Sequence, residues 1–282
     1  MIDHRILFPY AYNILGSAED ARDVIQDVLS DYVAGHREGI EDEKNYLIRS
    51  VINRAINAKK RKRKVIGQSD IWLPEPVATD DAADRNLYLK DILSYSLMVL
   101  LEKLNATERA VFILKESFDY THLEIAQVLS ITEDHSRKLL SRAKAKLFKP
   151  GSGANDRDAQ TSVLLERYMD AIRRRDTLQL ESLLSAEVVH YADGGGKIQV
   201  VKKVSTGVAE VAALLIMAYH RFQAHLTIRP TRVNHQAAFA FYNGDQLVVC
   251  QVFHIDKDGK IFQVSSILDP EKLRNHLTWP AL

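Results

Sequence analysis

A single cysteine, Cys250, stands in this chain of 282 residues. One thiol excludes an internal disulfide, and no Cys/His spacing resembles a zinc site, so the expectation is a reducing, cytoplasmic setting with no metal and no cofactor. Long apolar runs are missing too. The longest, Val211 to Tyr219, falls far short of the roughly 20 residues that cross a bilayer. Met1 to Tyr10 has no basic segment followed by an apolar core of signal-peptide length, so no membrane partner is expected. Charge of one sign is also lacking, the net value being +1, which by itself argues against a nucleic-acid partner. What is present is a sharply uneven distribution of charge and, at 46% hydrophobic residues, enough apolar material for two or three globular units.

Ser17 followed by Asp20 reads as a capping box, and Ala21, Val24, Ile25, Val28, Leu29, Tyr32 and Val33 then recur at helical spacing. The outward face of that helix carries Asp23, Asp27 and Asp31, and Glu38, Glu41, Asp42 and Glu43 prolong the acidity. Like charges four residues apart repel, so the stripe needs a partner outside the helix. The sign then inverts: Lys44 to Lys64 holds nine Lys or Arg and no acid, ending in the run Lys59 to Lys64. Leu47, Val51 and Ala55 give this helix an apolar side, and Arg49, Asn53, Asn57 and Lys60 a polar stripe suited to nucleic acid.

Periodicity is lost from Val65 to Asp84, where Ile71-Trp72-Leu73-Pro74-Glu75-Pro76 marks an irregular linker with an apolar anchor. Leu89, Ile92, Leu93, Leu97, Leu100, Leu101 and Leu104 predict one long helix, and Thr107 is the expected N-cap of the next. Thr121 and Glu124 form a second capping box, Ser130-Ile131 breaks the helix, and Thr132 caps another built on Leu139, Leu140, Ala143 and Leu147. Two short helices joined by so tight a turn are a helix-turn-helix, and the second bears Arg137, Lys138, Arg142, Lys144, Lys146 and Lys149.

Pro150-Gly151-Ser152-Gly153-Ala154 is the clearest boundary, and beyond it the pattern changes class. Two helices are followed by strands near Val188 to Ala192 and through Val204, an apolar helix near Val208 to Tyr219, and four further strands up to Ile267. Asn243-Gly244 and Asp258-Gly259 are hairpin signals. The expected product is a curved antiparallel sheet packed on helices and enclosing a pocket.

Ala11 to Ser17 with Asp20 to Asp27, Tyr46 to Asn53 with the basic run, and Leu104 to Phe112 with the helix-turn-helix resemble the extracytoplasmic-function class of the sigma-seventy family over nearly all of Leu7 to Lys149. The resemblance implies core RNA polymerase, through its β′ clamp helices and β flap, and promoter DNA as partners. Asp23, Gln26 and Asp27 would dock on the clamp helices, which gives the acidic stripe its reason. Tyr46, Arg49, Asn53, Lys60 and Arg61 would open and read the minus-ten element, and Arg137, Lys138, Ser141, Arg142 and Lys146 would read or grip the minus-thirty-five element.

Trp72-Leu73-Pro74-Glu75-Pro76, Asp193-Gly194-Gly195-Gly196-Lys197 and Asp269-Pro270-Glu271-Lys272-Leu273 resemble the signature motifs of the subgroup with a fused SnoaL-like domain. In that subgroup the tail stands in for a separate anti-sigma protein and touches the linker. The implied architecture is multidomain: an all-α region two at 1–64, a linker at 65–84, an all-α region four at 85–149, a linker at 150–157, and an α+β SnoaL-like cone at 158–282. The chain departs from the family at Ser130, where Gly is frequent, at Tyr46, where Trp is common, and at Val233-Asn234-His235-Gln236, which replaces an Asn-Gly turn.

Each assignment has a blander rival. Lys59 to Lys64 also reads as a solvated helix end, and the helix-turn-helix as a bundle with a cationic side. The triple-glycine segment lacks the spacing of a phosphate-binding P-loop and reads as a tight turn facing the linker, with Trp72 either its partner in an apolar groove or a cap on the helical core. His190, Tyr191, Asp193 and His254 would be the acid and base groups of an enzyme, but no paired constellation is visible, and a small effector bound without turnover is the better expectation.

Overall fold

The computed structural model describes residues 4–35, 40–65, 71–79, 89–147, 158–201 and 203–274. Glu38, Lys149 and the linker at 150–157 lie outside them, as do the side chains of Arg63 and Lys64. Internal contacts divide the chain into two units, one of residues 1–69, 81–148 and 280–282, the other of 70–80 and 149–279. The middle of the sequence-defined linker therefore folds with the C-terminal unit.

The first unit is all helical. A short 3₁₀ turn, His4–Leu7, leads into α1 (Phe8–Leu15), which ends at Gly16 in the left-handed region with φ 75°. Ser17 accepts the Asp20 amide at 3.1 Å and opens α2 (Ala18–Ala34), after which α3 runs Glu43–Val65. Leu7, Phe8, Tyr12, Ile25, Leu47, Val51 and Ala55 are buried, as the periodicity requires, while Val33 lies exposed near the end of α2.

The expected single helix over Leu89 to Leu104 is instead a 3₁₀ turn, Leu89–Asp91, and a short α4 (Tyr95–Leu101). The cause is Asn13, fully buried on α1: its amide donates to the Asp91 carbonyl at 2.9 Å and accepts the Leu93 amide at 3.1 Å, replacing the helical ladder there. α5 (Ala106–Glu116) starts ahead of Thr107, because Asn105 caps it in a full capping box with Glu108. α6 (His122–Leu129) and α7 (Glu133–Leu147) follow.

The C-terminal unit begins with α8 (Asp158–Arg174) and α9 (Thr177–Leu183), then β1 (Leu184–Asp193), β2 (Ser205–Thr206) and α10 (Val208–Ala218), which runs on into a π-helical turn at Tyr219–Gln223. β3 (Thr227–Val233), β4 (Gln236–Asn243), β5 (Gln246–Ile255), β6 (Ile261–Ile267) and a one-turn α11 (Pro270–Leu273) complete it. The sheet order is β2-β1-β6-β5-β4-β3. It is mixed rather than wholly antiparallel, since β1 pairs parallel with β6. The chain reaches β6 from β1 only after α10 and four strands, so nothing forces the antiparallel return of a hairpin there. Tyr168, Leu180, Val211, Leu215, Phe241 and Phe253 form the core between the helices and one sheet face. Cys250 is buried on β5, and burial pushes its thiol up to about 12, which makes it an inert core residue.

Candidate functional site

On α2, Asp23, Gln26 and Asp27 all face outward, so the acidic stripe is a real surface. It is partly answered from within: Arg54 of α3 lies 2.9 Å from Asp31 and 3.9 Å from Asp27. On α3 itself, Tyr46 is exposed with its ring centroid 5.9 Å from that of Tyr32. Arg49 donates to the Ser130 hydroxyl at 3.2 Å, and Asn53 donates to the Val128 carbonyl at 2.8 Å. Both side chains thus lean on α6 and the turn after it.

The basic run divides by helical phase. Lys60 and Arg61 are exposed, Lys62 meets Asp20 at 2.6 Å, and Lys59 turns inward. Its ammonium donates to the Leu15 carbonyl at 2.9 Å and to both Glu102 oxygens at 2.9 and 3.0 Å, while Arg109, fully buried, grips the same carboxylate and donates to the Asn13 carbonyl at 2.8 Å. Burial pushes the Lys59 ammonium down to about 7, with the Arg109 charge adding to it. Burial opposes ionisation of Glu102 as well, but Arg109 and Lys59 together outweigh it and hold the carboxyl below its usual range. Lys59 is therefore structural: this triad ties α3 to α4 and α5. A sequence signal existed in Glu102, which follows the apolar run Met98 to Leu101, and in Arg109, which precedes Ala110 and Val111.

The helix-turn-helix forms as expected. Thr121 and Glu124 cap α6 reciprocally, and Ser130 turns the chain at φ 53°, a left-handed position that explains why glycine suits it. Thr132 accepts the His135 amide at 3.2 Å at the start of α7, and His122 meets the Ser136 hydroxyl at 2.9 Å, pinning the helices together. Burial lowers the His122 pKa, with the Arg137 charge next in effect. Lys138, Ser141 and Arg142 are exposed on the outer face. Arg137 is also exposed but is shared by Glu133 and Asp134. Lys146 differs from expectation, because its ammonium lies 2.7 Å from both oxygens of the buried Glu108 and so braces α7 on α5.

The two tail motifs converge on the linker motif. Asp193, at the end of β1, accepts the Leu73 amide at 2.7 Å and the Lys272 ammonium at 2.5 Å, and Lys272 also donates to the Leu73 carbonyl at 2.6 Å. Trp72, half-buried, lies under that same ammonium, 4.3 Å from its ring centroid. Leu73, Pro74, Glu75 and Pro76 are buried. Gly194 and Gly195 permit close approach: a Cβ on Gly194 would stand 2.1 Å from the Ile198 carbonyl oxygen, and one on Gly195 2.2 Å from the Asp269 carboxylate carbon. Gly196, at φ 73°, completes the turn. Lys197 points to Glu271 at 2.5 Å instead of to the linker. Asp269 caps α11 by accepting the Glu271 amide at 3.0 Å, and Pro270 opens that helix.

A second grip was not foreseen. Asn234 and His235 both take positive φ, 48° and 64°, in the β3–β4 turn. Asn234 accepts the Val77 amide at 3.1 Å and donates its own amide to the Val77 carbonyl at 2.9 Å; the Thr79 amide donates to the Arg232 carbonyl at 2.9 Å, and the Thr79 hydroxyl accepts the His235 amide at 3.0 Å. A short antiparallel bridge joins Ala78 to Val233. The departure from Asn-Gly at this turn was the available clue.

Of His190, Tyr191, Asp193 and His254, His190 alone lines the cavity of the cone, where His225 joins it. His190 lies 3.0 Å from the Ser266 hydroxyl, and burial lowers its pKa to about 4, so the imidazole is neutral. Burial raises the Tyr191 hydroxyl, Asp193 belongs to the linker, and His254 meets Gln236 at 3.2 Å. Among the described residues no cluster of His, Cys, Asp and Glu could hold a metal ion, and no helix is long and apolar enough to cross a membrane.

Residues 94–147 match the family model described as Sigma-70, region 4. The chain is 27% identical to the ECF RNA polymerase sigma factor SigJ of Mycobacterium tuberculosis over 282 aligned positions, covering 94% of this chain and 89% of that protein. It is 26% identical to a probable ECF RNA polymerase sigma factor, SigI, of the same organism, over 95% of this chain and 91% of the relative. The crystal structure of SigJ superposes with a TM-score of 0.75 at 23% identity, over 96% of this chain and 95% of that one, which shows that the two share a fold.

Proposed function

We infer that this chain is an RNA polymerase sigma factor of the extracytoplasmic-function class with a SnoaL-like α+β region fused behind its DNA-reading helices. The observation that carries the reading is the region-four match at residues 94–147, folded as a helix-turn-helix whose second helix turns Lys138, Ser141 and Arg142 outward. In this reading α7 enters the major groove at the minus-thirty-five element, where a bidentate Arg contributes about 1–3 kcal/mol of base discrimination. Arg137 joins it once Glu133 and Asp134 release the guanidinium. Asp23, Gln26 and Asp27 dock on the β′ clamp helices, and region four meets the β flap. Tyr46, Arg49, Asn53, Lys60 and Arg61 of α3 hold the opened minus-ten strand by stacking and phosphate contacts.

Two elements some 25 base pairs apart lie roughly 80 Å apart along B-form DNA. With Arg49 and Asn53 hydrogen-bonded to the helix-turn-helix, α3 cannot serve one element while α7 serves the other. The arrangement is a restrained one, and initiation requires α3 and α6 to part. The tail supplies the restraint by fixing residues 71–79 of the connector on a folded body. It acts by binding and not by catalysis, in the cytoplasm, and a small effector in the cone tunes it.

The test is promoter-dependent transcription with core RNA polymerase and the full chain, alongside a direct measurement of core binding. Initiation that requires this chain and falls with Arg142→Ala supports the reading; absence of both initiation and core binding would overturn it.

A further inference from the structure

The cone of the C-terminal unit holds a cavity of about 640 Å³, within the range of small-molecule sites. Among the described residues none of its lining is Lys, Arg, Asp or Glu, and the titratable groups there are the imidazoles of His190 and His225. An ion buried there would meet no opposite carboxylate, ammonium or guanidinium among them, so the cavity favours an uncharged occupant. At one end stand three polar groups in a row: His190 lies 3.0 Å from the Ser266 hydroxyl, which also accepts from the Gln251 amide at 3.3 Å. Burial keeps the imidazole neutral. The mouth is the opposite in character: Ile198, Val201, Met217 and Phe222, between 43% and 58% exposed, are four of the large hydrophobic side chains that the chain leaves in water, and all four line this cavity.

The walls are continuous with the linker clasp. On β1, His190 and Ala192 line the cavity, and Asp193 is the next residue. On β6 and just after it, Ser266, Leu268 and Pro270 line it, and Asp269 between them caps the helix that carries Lys272. The two strands are joined at this end, with Ala192 opposite Ser266 and the Leu268 amide donating to the Asp193 carbonyl at 2.7 Å. Ile198, on the remaining wall, touches Gly194 so closely that no side chain fits between them.

We propose that the cone binds an uncharged, largely apolar small molecule bearing one hydroxyl or carbonyl group, held at the Ser266 pole, and that occupancy shifts the ends of β1 and β6 and so changes the grip on residues 71–79. The coupling rests on the tail acting as a regulator of the chain; the binding site does not. A ligand seated against Leu268 and Ile198 presses on the two places where the motifs are packed most tightly, and the clasp is one residue away along both strands.

The probe is 6-propionyl-2-(dimethylamino)naphthalene, neutral with a single carbonyl, set against the anionic 1-anilinonaphthalene-8-sulfonate, each titrated into the full chain. The neutral probe is expected to bind one site with a blue-shifted emission, at least tenfold more tightly than the anion. Leu214→Trp, which fills the cavity, and Met217→Lys, which charges its exposed mouth, should each weaken it about tenfold while far-ultraviolet circular dichroism stays unchanged. Hydrogen exchange of the Leu73 and Val77 amides should change at least threefold on saturation. Equal binding of both probes, or indifference to both variants, would overturn the site; binding without altered exchange would overturn the coupling. Core-polymerase binding measured without probe reports on the sigma reading separately.

Discussion

Lys272 and Asp193 meet at 2.5 Å with their side chains only 10% and 4% exposed, and the backbone of Leu73 is threaded between them. A buried ion pair is seldom a net source of stability, because desolvation offsets most of its attraction. Here each partner also bonds the Leu73 backbone, so the pair specifies where residues 71–79 lie. The carboxylate also accepts the Gly195 amide at 2.8 Å, which binds the glycine turn into the same arrangement.

Breaking one half should therefore cost more than removing both. Asp193→Ala or Lys272→Ala leaves a nearly buried charge without its counterion and is expected to destabilise the C-terminal unit by about 3–5 kcal/mol. The double variant Asp193→Asn with Lys272→Met should lose less. Urea denaturation of the full chain measures the difference; single and double variants of equal stability would contradict the argument.

Asn234 performs two tasks that one substitution separates. Glycine accepts φ 48° more easily than asparagine, so Asn234→Gly keeps the turn, but it removes the oxygen that receives the Val77 amide at 3.1 Å. The expected loss is about 1–2 kcal/mol. It should appear as faster hydrogen exchange at Val77 and Thr79 with the β3–β4 amides unchanged. Slower exchange at Val77, or a melted hairpin, would refute the assignment.

His190 gives the C-terminal unit a pH dependence of definite sign. Its folded pKa is lowered from 6.5 to about 4, so between those values the unfolded chain binds the proton and the folded one does not. Above about pH 6.5 this group has no effect. As pH falls toward 4 stability drops, by about 3 kcal/mol at the limit, and then levels off. His190→Gln should flatten that segment of a stability-against-pH curve.

Lys146 and Arg142 lie on the same helix and should report different physics. Lys146→Ala strands the buried Glu108, whose carboxyl burial disfavours ionised but the Lys146 hydrogen bond holds below its usual range. Its expected signature is a stability loss of about 1–3 kcal/mol, with the salt dependence of promoter binding nearly intact. Arg142→Ala should leave stability alone and reduce the salt slope by about one. A salt slope that changes with Lys146→Ala and not with Arg142→Ala would reverse the two roles.

Much of this was legible in the residues because local rules decide it. Helical periodicity placed α2, α3 and the helix-turn-helix, capping residues marked the starts of α2 and α6, and two Asn-Gly or Asp-Gly turns located hairpins. What escaped depends on contacts distant in sequence. Asn13 breaks a helix 78 residues away, which no window over Leu89 to Leu104 reveals. The parallel pairing of β1 with β6 spans most of the C-terminal unit. Within the basic run, Lys59 differs from Lys60 only by helical phase, and Glu102 and Arg109 decide its fate. The motifs at Trp72, Asp193 and Asp269 were visible separately, but Asn234 drew notice only as a departure from an expected turn.

The central claim is that the linker clasp restrains a sigma factor, and the most direct measurement is initiation in vitro. Core RNA polymerase is combined with the full chain, with Lys272→Ala, or with a chain ending at Leu268. The account predicts initiation that depends on the chain and a rate that changes by several-fold in both altered forms. Equal rates from all three, at equal core binding, would contradict it.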